Sequence, residues 1–459
     1  MFVRPGRAFF AWITPRLVSR TAVMAGLCVA ATLFAQAPAA PANAVAGVPA
    51  TASASPAAPA PDSAVAAATG GSAAPASPAA GENAVHDHAA HKGGGMAGMA
   101  RDQMGASAAF DSRGSAWMAA VEDGRVTVRR SGDLGHSWSA PMPVHQAPEP
   151  VEADGDARPK IAVGAAGELY VTWTRPLANP YTGFIRFARS EDGGKTWSPP
   201  ITVHRDRQEI THRFDSLTVG RDGRIFVAWI DKRDGQIAKA KHENYSGAAL
   251  YYAVSGDGGR SFQGDYRVAD HSCECCRIAL LPRPDGTVTA LWRHVFDPDI
   301  RDHALAQLHA DGRADGFRRA TFDGWAIDAC PHHGPSLAVD GHGQLHAVWF
   351  DLGPDHPGAT YGRLRDGAVD GLRHIGGVSA EHPDIAASAQ HVAVAWKEFD
   401  GERTQLLAMV SNDAGVSWHD MKLASTAAAS DQPRLLEREG RFYVFWNTRE
   451  NPRMMVPLP

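Results

Sequence analysis

Four short segments limit what this chain can fold into more than anything else in it: SGDLGHSW from Ser131, SEDGGKTW from Ser190, SGDGGRSF from Ser255 and SNDAGVSW from Ser411. All fit S-x-D-x-G-x-x-W/F, and self-similarity of this kind marks an architecture built by repetition. Each segment has the chemistry of a tight hairpin. The carboxylates of Asp133, Asp192, Asp257 and Asp413 accept hydrogen bonds from the amides of their own loops, the glycine supplies a positive φ, and the aromatic plugs the turn against neighbouring strands. These aspartates are expected to be folding devices with no part in catalysis.

A second repeat precedes the first. A turn glycine is followed six positions later by a tryptophan that ends an apolar run: Gly167 to Trp173, Gly223 to Trp229, Gly286 to Trp292, Gly343 to Trp349 and Gly440 to Trp446. Trp396 belongs with them, with Gln390 in place of the glycine, and the copy from Gly114 has Ala120 in place of the tryptophan. The seven copies lie 47 to 63 residues apart, with room for four short strands each and no helical period. That is the spacing of β-propeller blades, so the expected fold is all-β, a six- or seven-bladed propeller. The first and last copies are short and could share one blade at the closure of the ring.

With their strand spacing, the four Asp boxes resemble those of the sialidase (neuraminidase) superfamily of β-propellers over about Ala106 to Pro459. The resemblance implies a site in which three arginines hold a substrate carboxylate beside a tyrosine nucleophile with its glutamate partner and an aspartic acid. The matching residues are few. The (F/Y)RIP segment is missing; its nearest counterparts are ARPKI with Arg158 and CRIAL with Arg277, both fifteen residues before their blade tryptophan, and Arg434 opens a later strand. Of the eight tyrosines, Tyr170, Tyr251, Tyr252 and Tyr443 sit within or beside strand patterns, and Tyr361 and Tyr181 are read as able to point into a cleft. An exo-α-sialidase would use Arg158, Arg277, Arg434 and Tyr361. The alternative is that these arginines are ordinary charges at strand starts, and that the propeller is a non-hydrolytic member.

The segments HSCECCR and DACPHHGP point elsewhere. Counted back from the tryptophan of its own blade, Cys273 matches Cys330 at nineteen residues, Cys275 matches His332 at seventeen and Cys276 matches His333 at sixteen. Counting seventeen back from Trp229 gives His212, and counts of nineteen and seventeen from Trp173 give Asp154 and Asp156. The shared position is the connection that leads into a blade's innermost strand, at the mouth of the central funnel. Cys273, Cys275, Cys276, Cys330, His332, His333 and His212 are therefore a candidate thiolate and imidazole site for copper or, second, zinc. The competing reading is a disulfide framework with Cys273 joined to Cys330, giving a braced protein-interaction propeller, since an oxidising compartment favours bridges. A redox-active thiol pair is a third.

The first hundred residues bear on that compartment. Arg4, Arg7, Arg16 and Arg20 lead into an apolar stretch from Thr21 to Ala37, and Ala42-Asn43-Ala44 offers a cleavage site. Residues 1–44 read as a secretory signal that carries Cys28 away, with an uncleaved membrane anchor as the alternative. Residues 41–80 hold 18 Ala and 7 Pro with one charge, so 45–85 is expected to be a disordered linker. Residues 86–105 then place His86, His88 and His91 before Met96, Met99 and Met104, a donor mixture suited to copper in either oxidation state. The propeller is expected over 106–459. With 45 Lys plus Arg against 50 Asp plus Glu, the net charge of −5 argues against a nucleic-acid partner. The sequence reading is an exported protein, periplasmic or secreted, that binds a transition metal at its funnel mouth and exchanges it with another exported metal-handling protein.

Overall fold

Each repeat folds into one antiparallel sheet because its apolar runs are short, alternate with turn residues and have no helical alternative. The computed structural model describes residues 103–329, 331–355 and 357–459. The expected signal, the linker, His86, His88, His91, Met96, Met99 and Cys330 lie outside these. Seven separate sheets form. Blade 1 runs Ser107–Phe110, Ala116–Glu122, Arg125–Ser131 and Met142–Pro143, and blade 2 runs Lys160–Val163, Leu169–Pro176, Gly183–Ser190 and Ile201–Thr202. Blade 3 is His212–Val219, Ile225–Asp231, Ala248–Ser255 and Gln263–Ser272; blade 4 is Ala279–Pro282, Val288–Arg293, His303–Leu308 and Ala314–Arg319. Blade 5 comprises Ser336–Val339, Leu345–Asp351, Gly358–Arg365 and Ala368–Ile375, and blade 6 comprises Ala380–Ser388, His391–Phe399, Thr404–Ser411 and His419–Thr426. Blade 7 has three strands, Arg434–Arg438, Arg441–Trp446 and Met454–Pro457. The one described α-helix, Arg233–Ala240, follows the second strand of blade 3.

The innermost strand of each blade lies against that of the next, and Ser107–Phe110 of blade 1 packs on Arg434–Arg438 of blade 7. The ring thus closes at seven blades. The expectation that the first and last copies share a sheet is corrected, because each pairs only within its own blade and the seam is made by packing. Met104 lies at this seam, where its carbonyl accepts from Asn447 Nδ2 at 2.9 Å.

The core is divided among the interfaces between blades. Trp173 packs between blades 1 and 2, Trp229 between 2 and 3, Trp292 between 3 and 4, and Trp349 between 4 and 5. Trp396 and Trp446 do the same for the next two interfaces. The repeated tryptophan is therefore the residue that glues each blade to the one before it. Where blade 1 has Ala120 instead, Phe445 and Trp138 fill the closing interface. The turn glycines are obligatory for the same repeat: Gly167, Gly223, Gly286, Gly343 and Gly440 all have φ between 79° and 97°. In blade 6 the left-handed residue is Ala389, with φ 51°, one place before the Gln390 that the alignment of repeats selects.

The Asp boxes behave as their chemistry requires. In the first, Asp133 Oδ1 accepts from Ser137 N at 2.9 Å and Oδ2 from Ser137 Oγ at 2.6 Å, while Ser131 Oγ accepts from Gly135 N at 2.8 Å and donates to Asp133 at 2.8 Å. Asp192, Asp257 and Asp413 repeat the pattern with Thr196, Ser261 and Ser417. The box aromatic reaches back to the preceding blade: Trp138 meets Phe445, Phe262 meets Phe187 at 4.9 Å, and Trp418 meets Tyr361 at 4.7 Å.

Candidate metal centre

Connections into the innermost strands converge across the central axis, as the repeat register implied. Asp156, before the inner strand of blade 2, accepts from Arg277 N of blade 4 at 3.2 Å and from Gly334 N of blade 5 at 3.3 Å. Arg277 in turn donates to Pro335 O, Gly334 O and Pro383 O at 2.9–3.1 Å, reaching blade 6. Arg158 donates to both oxygens of Asp431 of blade 7 at 2.7 and 2.8 Å, and to Gln432 Oε1, Ala106 O and Gly155 O. Burial pushes the Asp156 carboxyl up, but Arg277 and Arg158 outweigh it and hold the group below its ordinary range.

This network corrects the expectation for a substrate-carboxylate triad. Arg158 and Arg277 are 2% and 5% exposed and donate to protein oxygens, so they clasp blades together. Arg434 is the most accessible of the three and lies 3.5 Å from Asp384 Oδ2. Tyr361 does not point into a cleft: its ring is fully buried on the third strand of blade 5, under Trp418, with its hydroxyl 2.8 Å from His346 Nδ1. Burial raises its pKa far above that of a usable nucleophile.

The cysteines have a different environment. Ser272 ends the last strand of blade 3, and the chain turns through Cys273–Cys276 before the inner strand of blade 4. The turn is anchored on both sides, by Cys273 N donating to Arg293 O at 3.0 Å and by Arg277 N on Asp156. Glu274 faces outward to an ion pair with Lys232, while the other three side chains turn inward. Cys273, Cys275 and Cys276 are 1%, 4% and 3% exposed, packed with Phe214, Ile230 and Ile278. Their sulfurs are 3.6 Å (273–276), 3.9 Å (273–275) and 4.0 Å (275–276) apart. A disulfide needs about 2.05 Å, so none joins the described cysteines. Three sulfurs sharing one ion at about 2.3 Å lie about 3.8 Å apart in a tetrahedron and about 4.0 Å apart in a trigonal plane. The neighbouring Cys273 thiol, and burial, push the Cys276 thiol well above its ordinary value.

His333 and His212 do not join these sulfurs. Among the described residues, donor atoms converge within 4.8 Å of one another in two groups, Cys273 with Cys275 and Cys276, and His333 with Glu381 and His382. Both groups could hold a metal. His333 leaves the cysteines because its blade faces blade 6, where its ring is sandwiched between Phe350 at 4.2 Å and His382 at 4.3 Å. His332 takes φ 56° in the preceding loop position. His212 belongs to neither group: its ring stacks on His204 at 3.9 Å, Nδ1 lies 3.0 Å from Gly183 O, and Nε2 is 3.5 Å from Asp206 and 3.7 Å from Asp231. Of the residues expected at one mouth cluster, the three described cysteines, His333 and His212 thus lie in three places.

Glu381 and His382 were missed, although the same count would have found them. Glu381 is fifteen residues before Trp396, as Arg158 and Arg277 are before theirs and Asp431 is before Trp446. A bulge between Glu381 and Asp384, where three steps along one strand match two along its partner, hides the position from strand alternation.

No family model matches the sequence, and no curated protein matches it. Solved structures similar to this chain include an ulvan lyase (10% identity, TM-score 0.46, covering 76% of this chain and 90% of that one). An α-L-arabinanase of Penicillium chrysogenum is similar at 16% identity and TM-score 0.43, with 65% and 91% covered. NanB sialidase of Streptococcus pneumoniae is similar at 11% identity and TM-score 0.40, with 64% and 65% covered. At such values, substrate and chemistry cannot be carried across from any of them.

Proposed function

We propose that this chain is an exported metal-handling propeller that binds copper as Cu(I) through Cys273, Cys275 and Cys276. The observation that carries the reading is the spacing of three buried sulfurs, 3.6–4.0 Å, which matches the edges of a three-thiolate site. Thiolate favours both Cu(I) and zinc, and three sulfurs complete a trigonal Cu(I) site where zinc calls for a fourth ligand. The turn is anchored at both ends, so the donors are held in place before an ion arrives. The His/Met segment at 86–105 serves as a weaker collector that passes metal to the thiols, and another exported metal-handling protein is the exchange partner.

Support for hydrolysis of sialosides falls away with the arginine clasps and the buried Tyr361. The disulfide-braced reading rests on a Cys273–Cys330 bridge, and Cys330 lies outside the described residues; no bond joins the three described cysteines to one another.

The test is copper content and Cu(I) affinity of the full chain, by competition with a Cu(I) chelator, for the wild type and for C273S/C275S/C276S. Tight binding of one equivalent in the wild type and its loss in the variant is the expected result. Equal copper in both overturns the reading, one equivalent of zinc instead overturns the choice of metal, and fluorophore release from a sialoside analogue favours the hydrolase.

A further inference from the structure

We infer that His333, Glu381 and His382 form a second metal site, for a divalent cation of borderline softness such as Zn(II), independent of the cysteine site. Four observations support it.

The first is the donor set: two imidazoles and one carboxylate, all within 4.8 Å of one another, are ligands for Zn(II) or Cu(II) and poor ones for Cu(I). Second is how the donors are brought together. Consecutive residues on a strand normally face opposite ways. The bulge after Glu381 and the left-handed backbone of His382, φ 52°, turn both side chains to the same side. A non-glycine residue held there is strained, and such strain gathers at functional positions.

Anchoring is the third. Arg293 Nη2 donates to His333 O at 3.0 Å, and Asp156 accepts from Gly334 N at 3.3 Å, so the peptide that follows His333 is held at both its carbonyl and its amide. The fourth is access. Exposure rises from 6% at His333 through 14% for the His382 side chain to 40% for that of Glu381, which gives an ion a path from solvent. Glu381 Oε2 lies 3.6 Å from His382 Nε2, whereas its Oε1 is 3.2 Å from Lys397 Nζ. Lys397 therefore competes with a cation for the carboxylate and sets the site's affinity.

The experiment uses the full chain carrying C273S/C275S/C276S, so that failure of the cysteine site does not decide it. Co(II) serves as the probe, titrated with its visible spectrum recorded. Adding Glu381→Gln or His382→Phe is expected to remove one equivalent of Co(II) while the His/Met segment binds the same amount in every variant. His382→Phe retains a ring against His333, and circular dichroism with thermal melting checks that the fold is kept. Lys397→Met is expected to tighten binding of that equivalent about fivefold, the size of a lost surface ion pair. Unchanged stoichiometry with Glu381→Gln, or an unchanged affinity with Lys397→Met, overturns the site; if both His382→Phe and Glu381→Gln unfold, the Lys397→Met arm decides alone.

Discussion

The guanidinium of Arg158 is held face to face by the carboxylate of Asp431, Nη1 to Oδ2 at 2.7 Å and Nη2 to Oδ1 at 2.8 Å, joining blade 2 to blade 7 across the closure of the ring. An arginine that the sequence offered as a substrate ligand is here bonded to the protein itself. Asp431 also accepts from Ala106 N at 3.0 Å, so one carboxylate ties three parts of the seam. Asp431→Ala leaves a buried guanidinium unpaired, and the expected loss of stability is about 3–5 kcal/mol. Denaturant unfolding measures it, and replacing the pair by Arg158→Met with Asp431→Leu is expected to restore most of the loss.

Carboxylates of the Asp boxes define an acid limit. Ser137 bonds hold Asp133 at about 2, and Thr196 bonds hold Asp192 at about 2. In Asp257 burial acts against this, but Ser261 outweighs it and the result is again about 2. Each folded-state value lies below the unfolded one near 3.8, so the stabilisation is present above about pH 4 and is lost as pH falls towards 2. Melting temperature recorded from pH 5 to pH 2 is expected to fall across this window. Asp192→Asn is expected to melt lower at pH 7 and to show a shallower fall.

Asp351 has the opposite sign. Burial, then the neighbouring Asp323, push its carboxyl up to about 7. The folded state keeps this proton after the unfolded chain has lost its own, so stability declines as pH rises from about 4 to about 7. Asp351 Oδ1 accepts from Gly353 N at 2.9 Å, a bond an asparagine oxygen can keep. Asp351→Asn is expected to match the wild type in denaturant near pH 4 and to exceed it at pH 8.

Much of the architecture was legible because its determinants are local. The box aspartate and the box glycine act within a few residues of themselves, and the blade tryptophan, although it packs on the preceding blade, recurs at a fixed distance from its turn glycine, so all three read off the repeat directly. Blade number was not legible, since the seam between Ser107–Phe110 and Arg434–Arg438 is long-range packing with no sequence mark. The site was half legible. Counting from the tryptophan placed Cys273, Cys275 and Cys276 correctly at a strand lead-in, because the turn that gathers them is local. It could not show that His333 turns to blade 6, which depends on Phe350 and on the bulge before Asp384, or that His212 is taken up by His204. Nor could it tell a ligand arginine from a clasp, because the partner of Arg158 is 273 residues away.

The most direct test of the central claim is X-ray absorption at the copper edge of the full chain loaded with one equivalent of Cu(I). Three sulfur scatterers are expected in the first shell, and their replacement by other donors in C273S/C275S/C276S. A wild-type first shell of nitrogen, oxygen or thioether alone, unchanged in the variant, would contradict it.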